Sequence, residues 1–258
     1  MLLEGKDVNA YQSKTLTRFN DTSGTKNKKR TDGLWADWGI HHLHLPVNAA
    51  INGQEYSERS EWLLFLMVYQ DVALFIDVRK HDEENLFSLT DLVENYIDSW
   101  PEDAERFQLK GILGLAGSPL SDAERKELRS SGVNSAPQVN GKVYMGPGMG
   151  VTSAVTSTRV SLLRNRIRIN ARAISKEIAH TDGPYLAKMR EIGIDNPEFG
   201  LMVLDDGNLA VYEKHSNVAW RIPRVNRHYP NDGYCAFHNA LMPEWTNAKV
   251  AQYCVANP

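Results

Sequence analysis

The chain has 258 residues, of which 42% are hydrophobic and 24% are charged. This length and composition predict a globular protein of one large domain or two smaller ones. The formal net charge of −3 excludes a protein that binds polyanions through its overall charge, so any nucleic-acid site must be a local patch. The longest apolar run, Trp62–Tyr69, is far shorter than the roughly 20 residues of a membrane-spanning helix, so we expect no membrane partner.

The residues from Met1 to Lys6 lack the basic region, the apolar run and the cleavage site of a secretory signal peptide. The chain has two cysteines, too few for a disulfide framework, and free thiols are typical of a reducing compartment. We therefore expect a cytoplasmic protein.

The first part of the chain is predicted to form strands over residues 40–45, 62–69 and 72–80. The middle segment is apolar on both faces, which is typical of a central strand. Ser88–Ser99 then carries apolar residues at helical spacing, and Pro101 is expected to end that helix. We assign residues 1–115 to an antiparallel meander flanked by helices.

Residues 116–258 are predicted to form a second, mixed part, so that the whole chain belongs to the α+β class. Its predicted elements are a helix from the capping box Ser121–Glu124 through Arg129, a hairpin at Asn140-Gly141, a long helix over Val160–Ile178 and strands over 201–204, 209–215 and 218–222. Apolar residues at steps of three and four make the long helix the clearest in the chain. Residues 224–258 carry no pattern that we can assign.

A face rich in histidine is the most informative feature of the predicted meander. Alternate side chains of a strand share a face, so His42 and His44 point away from Leu43. The third strand has a matching polar set opposite its apolar residues. That set is Asp77, Arg79 and His81, opposite Leu74, Ile76 and Val78. If the apolar faces share one core, all the polar groups converge on the other surface of the sheet.

The leading hypothesis from this face is cleavage of RNA without a metal ion. Backbone cleavage needs a base for the 2′-hydroxyl, an acid for the leaving oxygen and positive charge near the phosphorus. Histidine serves either proton role near neutral pH, and arginine stabilises developing negative charge. The predicted catalytic residues are His42, His44, Asp77, Arg79 and His81, with Asp77 orienting a histidine.

The segments Trp38–Leu45, Arg59–Tyr69 and Val72–His81 resemble the RelE/ParE-like toxin fold, in which a short helical lead-in precedes a meander of strands and a further helix. The resemblance covers residues 35–100. Members with ribonuclease activity carry arginine, lysine, histidine and tyrosine on the sheet face, so the resemblance implies catalytic roles for Arg59, Arg79 and His81. The first strand departs from the family, since it carries histidines where the family has arginine. The resemblance implies a toxin or defence effector.

A metal-dependent hydrolase is an alternative at the same face. His42 and His44 on one strand, with His81 or Asp77 on a neighbour, match a zinc site that keeps an open position for water. Arg79 counts against this alternative, because a cation beside a dication is costly. The histidines are also consistent with ordinary half-buried sheet residues, which would leave a non-enzymatic protein-interaction module.

The long helix carries a row of basic side chains. Arg164, Arg168, Arg172 and Lys176 recur every four residues and form one stripe beside the apolar stripe. A helix about 30 Å long with such a row can follow several phosphates of a nucleic-acid backbone. The preceding loop, made of Gly146–Gly150 and Thr152–Thr158, is predicted to offer backbone amides and hydroxyls to an anion at the start of the helix. A solvated face and a surface for an acidic protein partner are the alternatives.

The last predicted hairpin contains Asp206, Asn208 and Tyr212, with Leu204 and Ala210 between them. This pattern resembles one repeat of the monocot mannose-binding lectins over residues 199–220. The first three residues match the sugar-binding motif of that family, and the other two replace its glutamine and its valine. The resemblance implies a sugar site, and an ordinary hairpin with an Asp-Gly-Asn turn accounts for the same residues.

Overall fold

A computed structural model of the chain describes residues 4, 6–14, 16, 31–48, 50, 55–69, 71–112, 114, 117–222, 233–242 and 246. These residues combine α-helices with antiparallel sheets, which confirms the α+β class. The chain divides into two compact units, Met1–Ser161 and Leu162–Pro258. No helix within the described ranges is long and apolar enough to cross a membrane.

The first unit is built around a three-stranded sheet. Its elements are α1 (Gly33–Trp38), β1 (Ile40–His44), β2 (Trp62–Val68), β3 (Ala73–Lys80), α2 (Thr90–Ser99), α3 (Pro101–Ala104), α4 (Asp122–Ser130), β4 (Gln138–Val139) and β5 (Lys142–Val143). Short 3₁₀ turns lie at Asn9–Tyr11, Leu86–Ser88 and Glu105–Phe107. The predicted strands, the helix that follows them and the capping box of α4 are confirmed. Helix α1 was expected only through the toxin-fold resemblance, as its short helical lead-in.

The two ends of α1 are set by particular residues. Oδ1 of Asp32 accepts a hydrogen bond from the backbone N–H of Trp35 at 3.0 Å, which caps the first turn. Gly39 adopts the left-handed conformation, with φ 69°, that ends the helix. Strand β1 begins at the next residue, so no loop separates α1 from the sheet.

The sheet has the order β1-β2-β3, and both pairs are antiparallel. Its register aligns polar residues of the two outer strands across β2. The aligned rows are His42–Phe65–Asp77 and His44–Leu63–Arg79. The predicted polar groups of β1 and β3 therefore do share one face of the sheet.

A β-bulge at Ile76 corrects the predicted apolar face of β3. The pairing with β2 shifts by one residue at this point, so Leu74 lies on the same face as Asp77 rather than opposite it. Leu74 is buried and Ile76 packs against the main core, whereas Val78 is 46% exposed on the other face. The polar residues therefore lie at the edge of the sheet face that packs against the core, and not on a separate solvent-exposed face of the sheet.

The main core of the first unit covers this side of the sheet. Trp38 and Tyr96 are among its fully buried side chains. Val139 and Tyr144 pack in the same core although they follow residue 115. The boundary predicted after residue 115 therefore does not coincide with the division of the chain, which falls after Ser161.

A buried ion pair joins α4 to α1. Nη2 and Nε of Arg129 donate to Oδ2 of Asp37 at 2.7 and 3.3 Å. Nη1 of Arg129 donates to the backbone carbonyl of Phe87 at 2.7 Å. Because both charged side chains are buried, each compensates the other for the loss of water.

The second unit contains another three-stranded sheet, with the order β6-β7-β8. Its elements are α5 (Thr158–Ile178), which begins in the first unit, α6 (Pro184–Glu191), β6 (Phe199–Val203), β7 (Leu209–Glu213), β8 (Ala219–Ile222) and α7 (Gly233–Leu241). The predicted long helix, hairpin and third strand are confirmed. Helices α6 and α7 were not predicted, and α7 lies in the segment to which we assigned no pattern.

Candidate functional site

A cavity of about 640 Å³ in the first unit brings together three of the predicted site residues, His42, His44 and His81. The first two come from β1, and the third follows the end of β3. The cations Lys14 and Arg59 also line the cavity. The wall is completed in part by Asp32, Tyr56 and Phe87. A volume of this size lies within the range of sites for small molecules, roughly 300–1,000 Å³.

The imidazole rings form a contiguous group in this cavity. The rings of His44 and His81 are nearly parallel, with centroids 5.7 Å apart and an interplanar angle of 24°. The ring centroids of His42 and His44 are 6.2 Å apart. The ring of Phe87 also contacts His42, with a centroid distance of 4.9 Å. The histidines are thus close enough to act on one bound group.

Asp32, and not the predicted Asp77, is the carboxylate beside these histidines. Oδ2 of Asp32 lies 3.2 Å from Nδ1 of His42, and each side chain is only 6% exposed. The two atoms are not aligned for a hydrogen bond, and Nδ1 of His44 is likewise buried without a hydrogen-bond partner. Because Asp32 also caps α1, the start of that helix fixes the carboxylate next to the site.

Burial keeps His42 and His44, the two histidines of β1 that line the cavity, neutral at pH 7. Burial, followed by the charges of His42, His81, Arg59 and Lys14, lowers the pKa of His44 to about 4. Burial also lowers the pKa of His42, although the carboxylate of Asp32 acts in the opposite direction. A neutral imidazole can accept a proton or ligate a metal.

Asp77 and Arg79 lie on the same face of the sheet but do not line the cavity. Nε of Arg79 donates to Oδ2 of Asp77 at 2.6 Å, and Nη1 donates to Oε1 of Glu83 at 3.0 Å. Nδ2 of Asn95 on α2 also donates to Asp77, at 3.0 Å. The hydrogen bond with Asp77 raises the pKa of Arg79 above its usual value. The five predicted catalytic residues therefore separate into a histidine group and an ion-pair network that joins β3 to α2.

The three histidines of the zinc alternative line one cavity, and the Nδ1 atoms of His42 and His44 have no hydrogen-bond partner. In the part of the chain that the structure describes, however, no group of three or more His, Cys, Asp or Glu side chains is placed to hold a metal ion. A metal at His42, His44 and His81 would require the rings to reorient toward a common point.

Two groups that line the cavity were missed by the sequence reasoning. Lys14 lies in the polar segment before α1, where no pattern distinguished it. Asp32 had a usable signal, because an aspartate directly before a run of helical residues is a preferred N-cap. Arg59 entered only through the toxin-fold resemblance, and the structure places it in the wall of the cavity.

The predicted basic stripe lies on α5, within the second unit. Arg164, Arg168, Arg172 and Lys176 are all exposed, so the spacing produces a continuous cationic face. Exposed Leu162, Leu163 and Ile169 lie on the same helix.

The glycines of the loop before α5 use their backbone amides within the fold. The backbone N–H groups of Gly148 and Gly150 donate to the carbonyls of Asp37 and Ala36 at 3.1 and 2.9 Å. A Cβ atom at Gly148 would come within 2.4 Å of two carbonyl oxygens of α1. The loop therefore caps the carboxyl end of α1, and glycine is required because the backbones touch.

The segment that resembles a lectin repeat forms the hairpin of β6 and β7. Nδ2 of Asn208 donates to Oδ2 of Asp206 at 2.8 Å, and Nη2 of Arg221 lies 2.8 Å from the same oxygen. These polar groups are therefore bonded to one another and stabilise the turn between the strands.

No protein-family model, curated protein or solved structure matches this chain. The assignment of a function therefore depends on the geometry of the cavity and of α5.

Proposed function

We propose that the histidine cavity cleaves RNA phosphodiester bonds by acid–base catalysis without a metal ion. The observation that supports this function is the presence of His42, His44 and His81 in one cavity with the cations Arg59 and Lys14. A phosphodiester carries one negative charge, which the two cations would hold. The histidines would then supply both proton transfers of the reaction.

The proposed reaction starts with the removal of the 2′-hydroxyl proton by the neutral imidazole of His44. The 2′-oxygen forms a bond to phosphorus, and the bond from phosphorus to the 5′-oxygen breaks. His81 donates a proton to the departing 5′-oxygen, which gives a 2′,3′-cyclic phosphate and a 5′-hydroxyl. Arg59 stabilises the additional negative charge on the phosphoryl oxygens in the transition state.

His42 and Asp32 are assigned positioning roles. His42 is buried and its ring contacts those of Phe87 and His44, so it restricts the orientation of the proposed base. Asp32 lies against His42 from the start of α1. Asp77 and Arg79 are assigned to the stability of β3 and α2, because their charged groups bind each other and their neighbours.

The exposed stripe of α5 is proposed as an additional surface for the nucleic-acid backbone. Replacing Arg168 and Arg172 together with glutamate should weaken RNA binding and reduce the dependence of log K on log salt by about 1.4, since a contact with a single strand contributes about 0.7. An unchanged salt dependence would contradict this role and favour a solvated helix or an acidic protein partner. The toxin or defence role and the cytoplasmic location stay predictions.

The test is cleavage of a mixed-sequence single-stranded RNA by the purified full chain in excess EDTA. We expect His44→Ala and His81→Ala each to lower the single-turnover rate by roughly 10²- to 10⁴-fold, the usual range for loss of a general acid or base. His215→Ala is the matched control, because His215 is exposed in the second unit. Equal rates in the wild type, His44→Ala and His81→Ala would contradict the proposal.

A metal-dependent hydrolase at His42, His44 and His81 is the second candidate, and the unbonded Nδ1 atoms of His42 and His44 favour it. The same assay separates the two functions. Activity that disappears in EDTA and returns with added zinc would support the metal-dependent function. Activity that persists in EDTA would support the acid–base function.

A further inference from the structure

A second cavity, of about 370 Å³, adjoins the histidine cavity in the first unit. The two cavities share wall residues, so they meet along a common border. The shared residues are Thr31, Gly33, His81 and Phe87. His81 therefore lies at the junction of two spaces and is accessible from both.

The second cavity differs from the first in its chemistry. Leu86, Val151 and Val155 give it apolar walls, and Lys126 of α4 supplies an exposed cation. Nζ of Lys126 lies 3.2 Å from Oδ1 of Asn85, on the loop that follows β3. The hydrogen-bond partner of the ammonium group is thus a neutral amide oxygen, and this contact does not compensate its positive charge.

Two other charged groups in this wall are already compensated. Arg129 is paired with Asp37 in the interior, and Glu83 accepts a hydrogen bond from Arg79 at 3.0 Å. Lys126 is consequently the described charge in this wall that is best placed to attract an anion.

We infer that the adjoining cavities form one groove for a polynucleotide, in which Lys126 contacts the phosphate next to the one held by Arg59 and Lys14. This inference rests on the proposed function, since it takes the scissile phosphate to lie in the histidine cavity. A chain that continues past His81 enters the second cavity, where a base or sugar meets apolar walls and the next phosphate meets the ammonium group. The preferred substrate is therefore an oligonucleotide with phosphates on both sides of His81, and not a dinucleotide.

The test measures binding with ligands that cannot be cleaved. A 2′-O-methyl hexanucleotide and a 2′-O-methyl dinucleoside monophosphate are titrated against the full chain and its Lys126→Ala variant. We expect the variant to lose roughly fivefold in affinity for the hexanucleotide, as for one exposed ion pair, with a salt dependence lower by about 0.7. Its affinity for the dinucleoside monophosphate should be unchanged.

Lys142→Ala is the matched control, because Lys142 is an exposed lysine on β5 that lines neither cavity. Equal hexanucleotide binding by the wild type and Lys126→Ala, equal losses for both ligands, or no binding by the wild type would overturn the inference. A wild type that binds the hexanucleotide through Lys126 but leaves RNA intact would contradict the proposed catalysis and support the groove.

Discussion

The acid sensitivity of folding should depend on His44. Its pKa lies near 6.5 in the unfolded chain and falls to about 4 in the folded protein, first because of burial and then because of the positive groups around it. The folded state therefore binds fewer protons than the unfolded state between these values. Stability from this difference is complete above pH 6.5 and is lost as the pH falls toward 4.

The size of the effect follows from the same values. The difference between 6.5 and about 4, at 1.36 kcal/mol per pH unit, sets an upper limit of about 3.4 kcal/mol. His44 is only partly buried and faces an open cavity, so water screens part of the cost of its charge. We therefore expect His44 to contribute about 1–2 kcal/mol to the loss of stability between pH 7 and pH 4.

The assay is urea unfolding, followed by tryptophan fluorescence, at a series of pH values from 7 to 4. His44→Gln cannot acquire a charge in this range, so its free energy of unfolding should fall by about 1–2 kcal/mol less than that of the wild type. His215→Gln, at an exposed position, should follow the wild type. Parallel curves for the wild type and His44→Gln would refute the reasoning.

Three further changes test buried contacts elsewhere in the two units. Asp37→Ala leaves Arg129 buried without its partner, and it should destabilise the chain by about 3–5 kcal/mol in urea unfolding, with much of the loss recovered in Asp37→Ala/Arg129→Met; a loss below 1 kcal/mol would contradict the buried pair. Gly148→Ala places a Cβ against carbonyls of α1 and should cost at least about 1–3 kcal/mol, whereas an unchanged melting temperature would show that the loop does not cap the helix. Burial acts to raise the pKa of Glu213, but hydrogen bonds from backbone N–H groups lower it to about 2. Glu213→Gln should therefore lower the free energy of unfolding near pH 7, and the stability of the variant should fall less than that of the wild type between pH 4.5 and pH 2. Equal acid unfolding of the variant and the wild type would exclude this role.

The sheet around the site could be predicted from the sequence because its signals are local. Alternation along residues 40–45 and 72–80 identified both outer strands, and the apolar run of β2 identified the central one. The bulge at Ile76 could not be predicted, because the apolar residues Leu74, Ile76 and Val78 alternate through it without a break. The face that carries the core was therefore assigned incorrectly for Leu74 and Val78.

The composition of the site depended on contacts distant in sequence. Asp32 approaches His42 only because α1 joins β1 without a loop, and Arg129 reaches Asp37 across 92 positions of the chain. Asp77 was a reasonable partner for a histidine by strand pairing alone. In the structure Asp77 instead accepts a hydrogen bond from Arg79, whose guanidinium group lies two residues away on the same face of the strand.

The chemical identity of the cleaved RNA ends tests the central proposal most directly. The full chain is incubated with a short single-stranded RNA in EDTA, and the products are identified by mass spectrometry. Attack by the 2′-hydroxyl, with His44 as base and His81 as acid, predicts a 2′,3′-cyclic phosphate on one product and a 5′-hydroxyl on the other. Intact RNA, or products that carry 5′-phosphates, would contradict the proposal.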